Sequence, residues 1–124
     1  MSIWVFALLC VAGGAGAAVR FVVDALIRAA VSTRFPVATV AINLTGSFVL
    51  GLLAGAALHH DLATAYAVLG TGFLGGFTTF STYAVETARL ALNGARGSAV
   101  LNALGTLVGA IAVAYGGLLL GAAL

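Results

Sequence analysis

Between Gly70 and Tyr83 the sequence runs GTGFLGGFTTFSTY, four glycines and a run of hydroxyl side chains in otherwise apolar surroundings. Glycine and the short hydroxyl residues are poor helix formers, and a helix that breaks there releases main-chain carbonyl oxygens from their usual amide partners. In apolar surroundings such oxygens need a cation, water or another chain. An all-oxygen shell suits a hard cation such as sodium. Phe80 and Tyr83 lie three residues apart just after this stretch and share a helix face. They serve either as packing or as ring edges whose positive rim meets an anion without a buried formal charge.

Other polar residues fall on regular spacings. Thr39, Asn43 and Ser47 recur every four residues and so line one face of a helix, and Asn102 and Thr106 repeat the arrangement above Gly109. Each either bonds to a helix or faces a polar path, because bare polar groups in a lipid-facing helix are costly. Arg20 and Asp24, four apart, are expected to pair along their helix. Arg20 lies deeper and is equally placed to draw anions toward a vestibule. Glu86 either meets an arginine or orients the hydroxyl run. His59-His60-Asp61 reads as a solvated loop rather than a metal site, and Cys10 as a small packing residue. No histidine or carboxylate pair accompanies a serine or cysteine, so the chain is not expected to be an enzyme.

The elements that hold these residues follow from composition. With 63% hydrophobic and 6% charged residues, against roughly a quarter charged in soluble domains, the chain belongs in a lipid bilayer. Its mean hydropathy of +1.22 agrees. Five arginines without a clustered basic face exclude a nucleic-acid partner, and one cysteine cannot form an intrachain disulfide. A bilayer core needs about 20 apolar residues per helix. Four such spans fill the chain, near 3–27, 37–58, 62–88 and 98–121, giving an all-α membrane protein of one domain, 1–124, with the third helix broken. The first span has no basic leader and keeps Arg20 and Asp24, so it reads as a permanent span rather than a signal peptide. Pro36 suits the start of the second helix. Glycine pairs four apart, Gly51 with Gly55, Gly72 with Gly76, Gly105 with Gly109 and Gly117 with Gly121, allow close helix packing within a bundle or between subunits. Arg28, Arg34, Arg89 and Arg96 all fall at the connections after the first and third spans. By the positive-inside rule those connections are cytoplasmic and both termini lie outside.

Three segments together resemble the fluoride-specific ion channel family, the Fluc or CrcB proteins. They are Gly13-Gly14-Ala15-Gly16-Ala17-Ala18-Val19-Arg20-Phe21, Asn43-Leu44-Thr45-Gly46-Ser47-Phe48, and Gly72 to Thr82 in the third span. The resemblance implies an antiparallel dimer of four-helix subunits in a prokaryotic plasma membrane. It further implies two fluoride pathways and a structural, untransported sodium ion between subunits. By position, Gly75 and Thr78 would give carbonyls to sodium, Asn43 a hydrogen bond to fluoride and Phe80 its ring edge. Ser81, Thr82 and Thr106 would continue a polar track, with Tyr83 and Arg20 along the same pathway. Function would be passive fluoride export. The chain departs from the family pattern at Tyr83, where a second phenylalanine is common, and at Asn102, Thr106 and Ala110, where a tyrosine and two serines often stand. An antiparallel pair of identical chains must insert both ways, which the four-to-none arginine bias disfavours, so the partner is either an identical chain or, where orientation is fixed, an oppositely oriented paralogue. The alternative, a small dual-topology four-helix drug exporter, resembles the chain in size, but those exporters use a glutamate within the first helix and none is present here.

Overall fold

The computed structural model describes every residue from Met1 to Leu124, and the chain is helical throughout, with no strand. Helix α1 (Ile3–Ala30) starts where the Ser2 hydroxyl accepts the Val5 amide at 3.2 Å. After Pro36 comes α2 (Val37–Ala56). The third span is two pieces, α3 (63–77) and α4 (Ser81–Leu92). The last helix, α5 (Arg96–Ala122), returns across the bundle. Helices α1, α2 and α5 are each long and apolar enough to cross a bilayer, and the interrupted span is divided between α3 and α4.

The ends differ modestly from the sequence expectation. Helix α1 runs on to Ala30, carrying Arg28 out in its last turn, where a long cationic side chain can reach the interface. Helix α4 continues to Leu92 and stops through a glycine that no other residue replaces easily. Gly94 has φ of 83°, its N–H bonds the Ala91 carbonyl, and the Ala95 N–H bonds the Leu90 carbonyl. That pair of reversed bonds satisfies the last carbonyls and turns the chain into α5.

Packing is by close backbone approach rather than by a large core. Only 18 of 124 residues are buried, and the exposed set includes Trp4, Phe21, Leu92 and Ile111, so the outer surface is an apolar one suited to lipid. The inner cluster is small: Ile42, Leu74 and Phe77, with Val23, Val49, Leu53 and Phe73 against it. The most extensive pairing joins α2 to α5, and α1 lies along α3. A Cβ added at Gly51 would stand 2.0 Å from the Ala114 carbonyl oxygen, and one at Gly117 would stand 2.3 Å from that of Phe48. Between α1 and α3, a Cβ on Gly76 would lie 2.0 Å from the Gly13 oxygen. Three of the four glycine pairs therefore serve packing inside one subunit. In the fourth pair a Cβ at Gly109 would meet α2, 3.2 Å from a Leu44 side-chain atom, while at Gly105 the nearest atom is its own helix's Leu101 side chain at 3.5 Å.

The interruption follows from local bonding. Residues Tyr66–Leu74 of α3 run in wide, π-helical turns and Gly75–Phe77 close one α-turn. Thr78 then takes an extended backbone, φ −77° and ψ 159°, which ends the helix. The Asn43 side chain completes the break. Its amide NH2 donates to the Thr79 carbonyl and its oxygen accepts the Thr79 N–H, both at 2.8 Å. This two-point clamp from α2 replaces the helical bonds that Thr79 would otherwise make. The Thr79 hydroxyl in turn accepts the Thr82 N–H at 3.2 Å, satisfying a first-turn donor of α4.

Candidate functional site

Each redirected donor frees an acceptor. In an unbroken helix the Gly75 carbonyl would bond the Thr79 N–H and the Thr78 carbonyl the Thr82 N–H. Those donors are instead held by Asn43 and by the Thr79 hydroxyl. Gly75 and Thr78 are thus left with oxygens that lack their helical partners, and both residues line the same groove. The neighbouring Gly76 carbonyl is taken by the Arg20 Nε at 3.2 Å. Arg20 therefore caps the broken end of α3 from α1.

The groove has a volume of about 600 Å³ and also takes in Asn43, Phe80, Tyr83 and Thr106, with no charged residue along it. Of the two N–H bonds on the Asn43 amide, one is spent on Thr79 and one remains. Phe80 is 78% exposed, and its ring stands 5.8 Å from the Tyr83 ring, tilted at 49°. The Tyr83 hydroxyl is already committed, donating to the Ala103 carbonyl at 2.5 Å. Ala103 lies in Leu101–Gly105, where α5 also takes wide turns. Thr106 is committed as well, donating to Asn102 at 3.3 Å. Asn102, 1% exposed, donates to the Thr87 hydroxyl, which donates to the Tyr83 carbonyl. These bonds tie α5 to the first turns of α4.

The remaining sequence-selected residues lie elsewhere. Ser81 and Thr82 line a cavity of about 790 Å³ with Arg28, Arg34 and Arg89. Arg20 lines a smaller one of about 230 Å³, in which Thr79 and Thr82 also take part. Thr79 borders the groove and the small cavity, and Thr82 the small cavity and the large one, so the three form a succession along α4. Asp24 departs from its expected partner: it pairs with Arg28 at 2.8 Å, not with Arg20, because Arg20 is turned to the α3 carbonyl. Glu86 takes the first of its two expected roles, meeting Arg28 at 3.3 Å, and the hydroxyl it accepts is that of Thr39 on α2, not one of the run after Gly70. The Thr79 and Thr87 roles were not singled out from sequence. Thr87 lies one helical turn beyond Tyr83, the only trace that could have pointed to it.

The fold and this uncharged groove define a class: a small multi-pass helical membrane protein whose interrupted span presents main-chain oxygens, an amide and aromatic edges on one wall. The family described as CrcB-like protein, Camphor Resistance (CrcB), matches residues 7–118. A protein of Leifsonia xyli subsp. xyli named fluoride-specific ion channel FluC 1 is 46% identical over 114 residues, covering 91% of this chain and 83% of that one. One of Cutibacterium acnes named fluoride-specific ion channel FluC 2 is 44% identical over 115 residues, covering 91% and 94%. One of Mycobacterium tuberculosis, also named fluoride-specific ion channel FluC 2, is 40% identical over 114 residues, covering 92% and 86%. The chain belongs to the CrcB family, a family of ion channels and not of enzymes.

Proposed function

We propose that the chain is a subunit of a fluoride-selective channel that passively exports fluoride across a prokaryotic plasma membrane. Moving a small anion into the bilayer core unaided costs on the order of tens of kcal/mol. The groove lowers that cost with neutral groups: the spare N–H of Asn43 and the ring edges of Phe80 and Tyr83 on one uncharged wall. This wall is the observation that carries the reading. The Ser81 and Thr82 hydroxyls continue it toward the large cavity. Thr106 supports the groove from α5 while its proton is held by Asn102. Arg20 holds the end of α3 in place.

The groove is open on the side away from the subunit, and Phe80 stands out into it, so a second wall must come from another subunit. We assign that to an antiparallel dimer. The Gly75 and Thr78 oxygens fit a structural, untransported sodium ion at such an interface, since hard cations take oxygen ligands and these two lack helical partners. Its charge would offset that of the passing anion. Fluoride efflux from liposomes holding the purified protein tests the function. The parent, with an oppositely oriented paralogue where it does not pair with itself, is expected to release fluoride, and Asn43→Asp and Phe80→Ile to fall by on the order of tenfold or more, which is about 1.4 kcal/mol of lost interaction with the ion. Variants that conduct like the parent would remove the site assignment, and a parent that passes no fluoride with any partner would remove the function.

A further inference from the structure

The largest cavity carries chemistry that the fluoride reading does not require. It opens between the end of α1, the 31–36 connection and the second half of α4, and is lined by three arginines, Arg28, Arg34 and Arg89, against one carboxylate, Glu86. Both ion pairs of the chain use Arg28, which is shared by Asp24 and Glu86. Arg34 and Arg89 therefore face the cavity with no carboxylate partner. The rest of the polar lining is Ser81, Thr82 and Asn93, all able to donate.

At about 790 Å³ the space far exceeds a lone halide with its first water shell. Guanidinium forks match a tetrahedral oxyanion, which accepts two parallel N–H bonds from each. Val85, an exposed apolar residue of the lining, gives the mouth an apolar edge that suits acyl chains. We propose that the mouth is a binding site for a phosphate group, held by Arg34 and Arg89 and supplied either by free phosphate or by an anionic phospholipid headgroup. The binding does not depend on fluoride conduction. Its consequence for flux does rest on the channel reading: a bound phosphate would occupy the mouth above Ser81 and Thr82 and slow fluoride access from that face.

The test is the melting midpoint of the full chain in a neutral maltoside detergent. One arm compares inorganic phosphate with chloride at matched ionic strength, and the other compares phosphatidylglycerol with a diacylglycerol of the same chains. A rise of a few degrees in either arm is expected, as for any ligand that binds only the folded state, and the responding arm identifies the source. Arg34→Gln with Arg89→Gln should lose the rise. Arg96→Gln, an exposed arginine outside the cavity, should keep it. No rise in either arm overturns the site, as does a loss that is equal in Arg96→Gln, which would show only general charge. A melting shift in a protein that passes no fluoride would leave the site standing and the channel reading fallen.

Discussion

At Tyr83 a hydroxyl sits where it could meet an ion, yet its proton is spent on the Ala103 carbonyl. The ring alone is then left to face the groove, as a phenylalanine would. Tyr83→Phe is therefore expected to keep fluoride efflux within about twofold of the parent while lowering stability by about 0.5–1.5 kcal/mol, the net worth of one part-buried hydrogen bond to a carbonyl that still accepts the Thr106 N–H. Denaturant unfolding beside the efflux assay checks both halves, and a large loss of flux with unchanged stability would put the hydroxyl on the ion instead. Asn43 is the opposite case. Its amide makes two bonds of opposite sense to one peptide unit, so neither a carboxylate nor a hydroxyl can reproduce them. Sequence spacing picked out Asn43, Phe80 and Tyr83 because polar and aromatic residues stand out in an apolar chain. It could not show where their protons go, since Thr79 and Ala103 are bonded through their backbones, and backbone groups are the same at every position. The same blindness explains Asp24: spacing allowed Arg20 and Arg28 equally, and the choice was made by a carbonyl on another helix.

The interrupted span is an element held open from three sides: Asn43 from α2, Arg20 from α1 and the Tyr83 bond from α5. Its presence was legible in the glycine and hydroxyl run, and its place at Thr78 was not, because four glycines offer several equally weak points. What selects the point is the clamp on Thr79. The approach of α1 to α3 depends on missing side chains, so Gly76→Ala should be severe. A Cβ at 2.0 Å from the Gly13 oxygen forces two backbones apart and should lower stability by several kcal/mol, roughly the range of diagnostic core disruptions. Gly14, on the same helix as Gly13, has no atom within 4 Å of the corresponding position. Gly14→Ala should be neutral or slightly stabilising within the subunit, by up to about 1 kcal/mol from helix propensity. Thermal unfolding of the two variants in detergent separates them. Similar behaviour would mean that α1 and α3 do not meet as described. The loose surroundings of Gly14 and Gly105 would then be the surfaces to compare in the assembled protein.

For the whole molecule the decisive quantity is where charge sits. Arg28, Arg34 and Arg89 converge on one cavity at one end of the bundle, and Arg96 begins α5 at that same end, while the other end carries His59, His60, Asp61 and the termini. The positive-inside rule predicts that such a chain inserts with its arginines in the cytoplasm. An antiparallel pair of identical chains needs each orientation in comparable amount, and a bias of this size works against it. The chain expressed alone is therefore expected to insert one way, to yield little dimer and to give weak fluoride efflux, and a paralogue of opposite bias should restore it. A variant with that bias halved sharpens the test. Arg34→Ser with Arg96→Ser leaves the groove residues and the α1–α3 and α2–α5 glycine contacts untouched, so the subunit should fold as before. If orientation is the obstacle, this variant alone should become dual in topology, as read by labelling a cysteine placed at Ser32 in a Cys10→Ser background, and its efflux should rise severalfold over the parent's. Full efflux from the purified parent by itself would show that the arginines do not fix orientation strongly enough to demand a partner, and the dimer would then be of one chain.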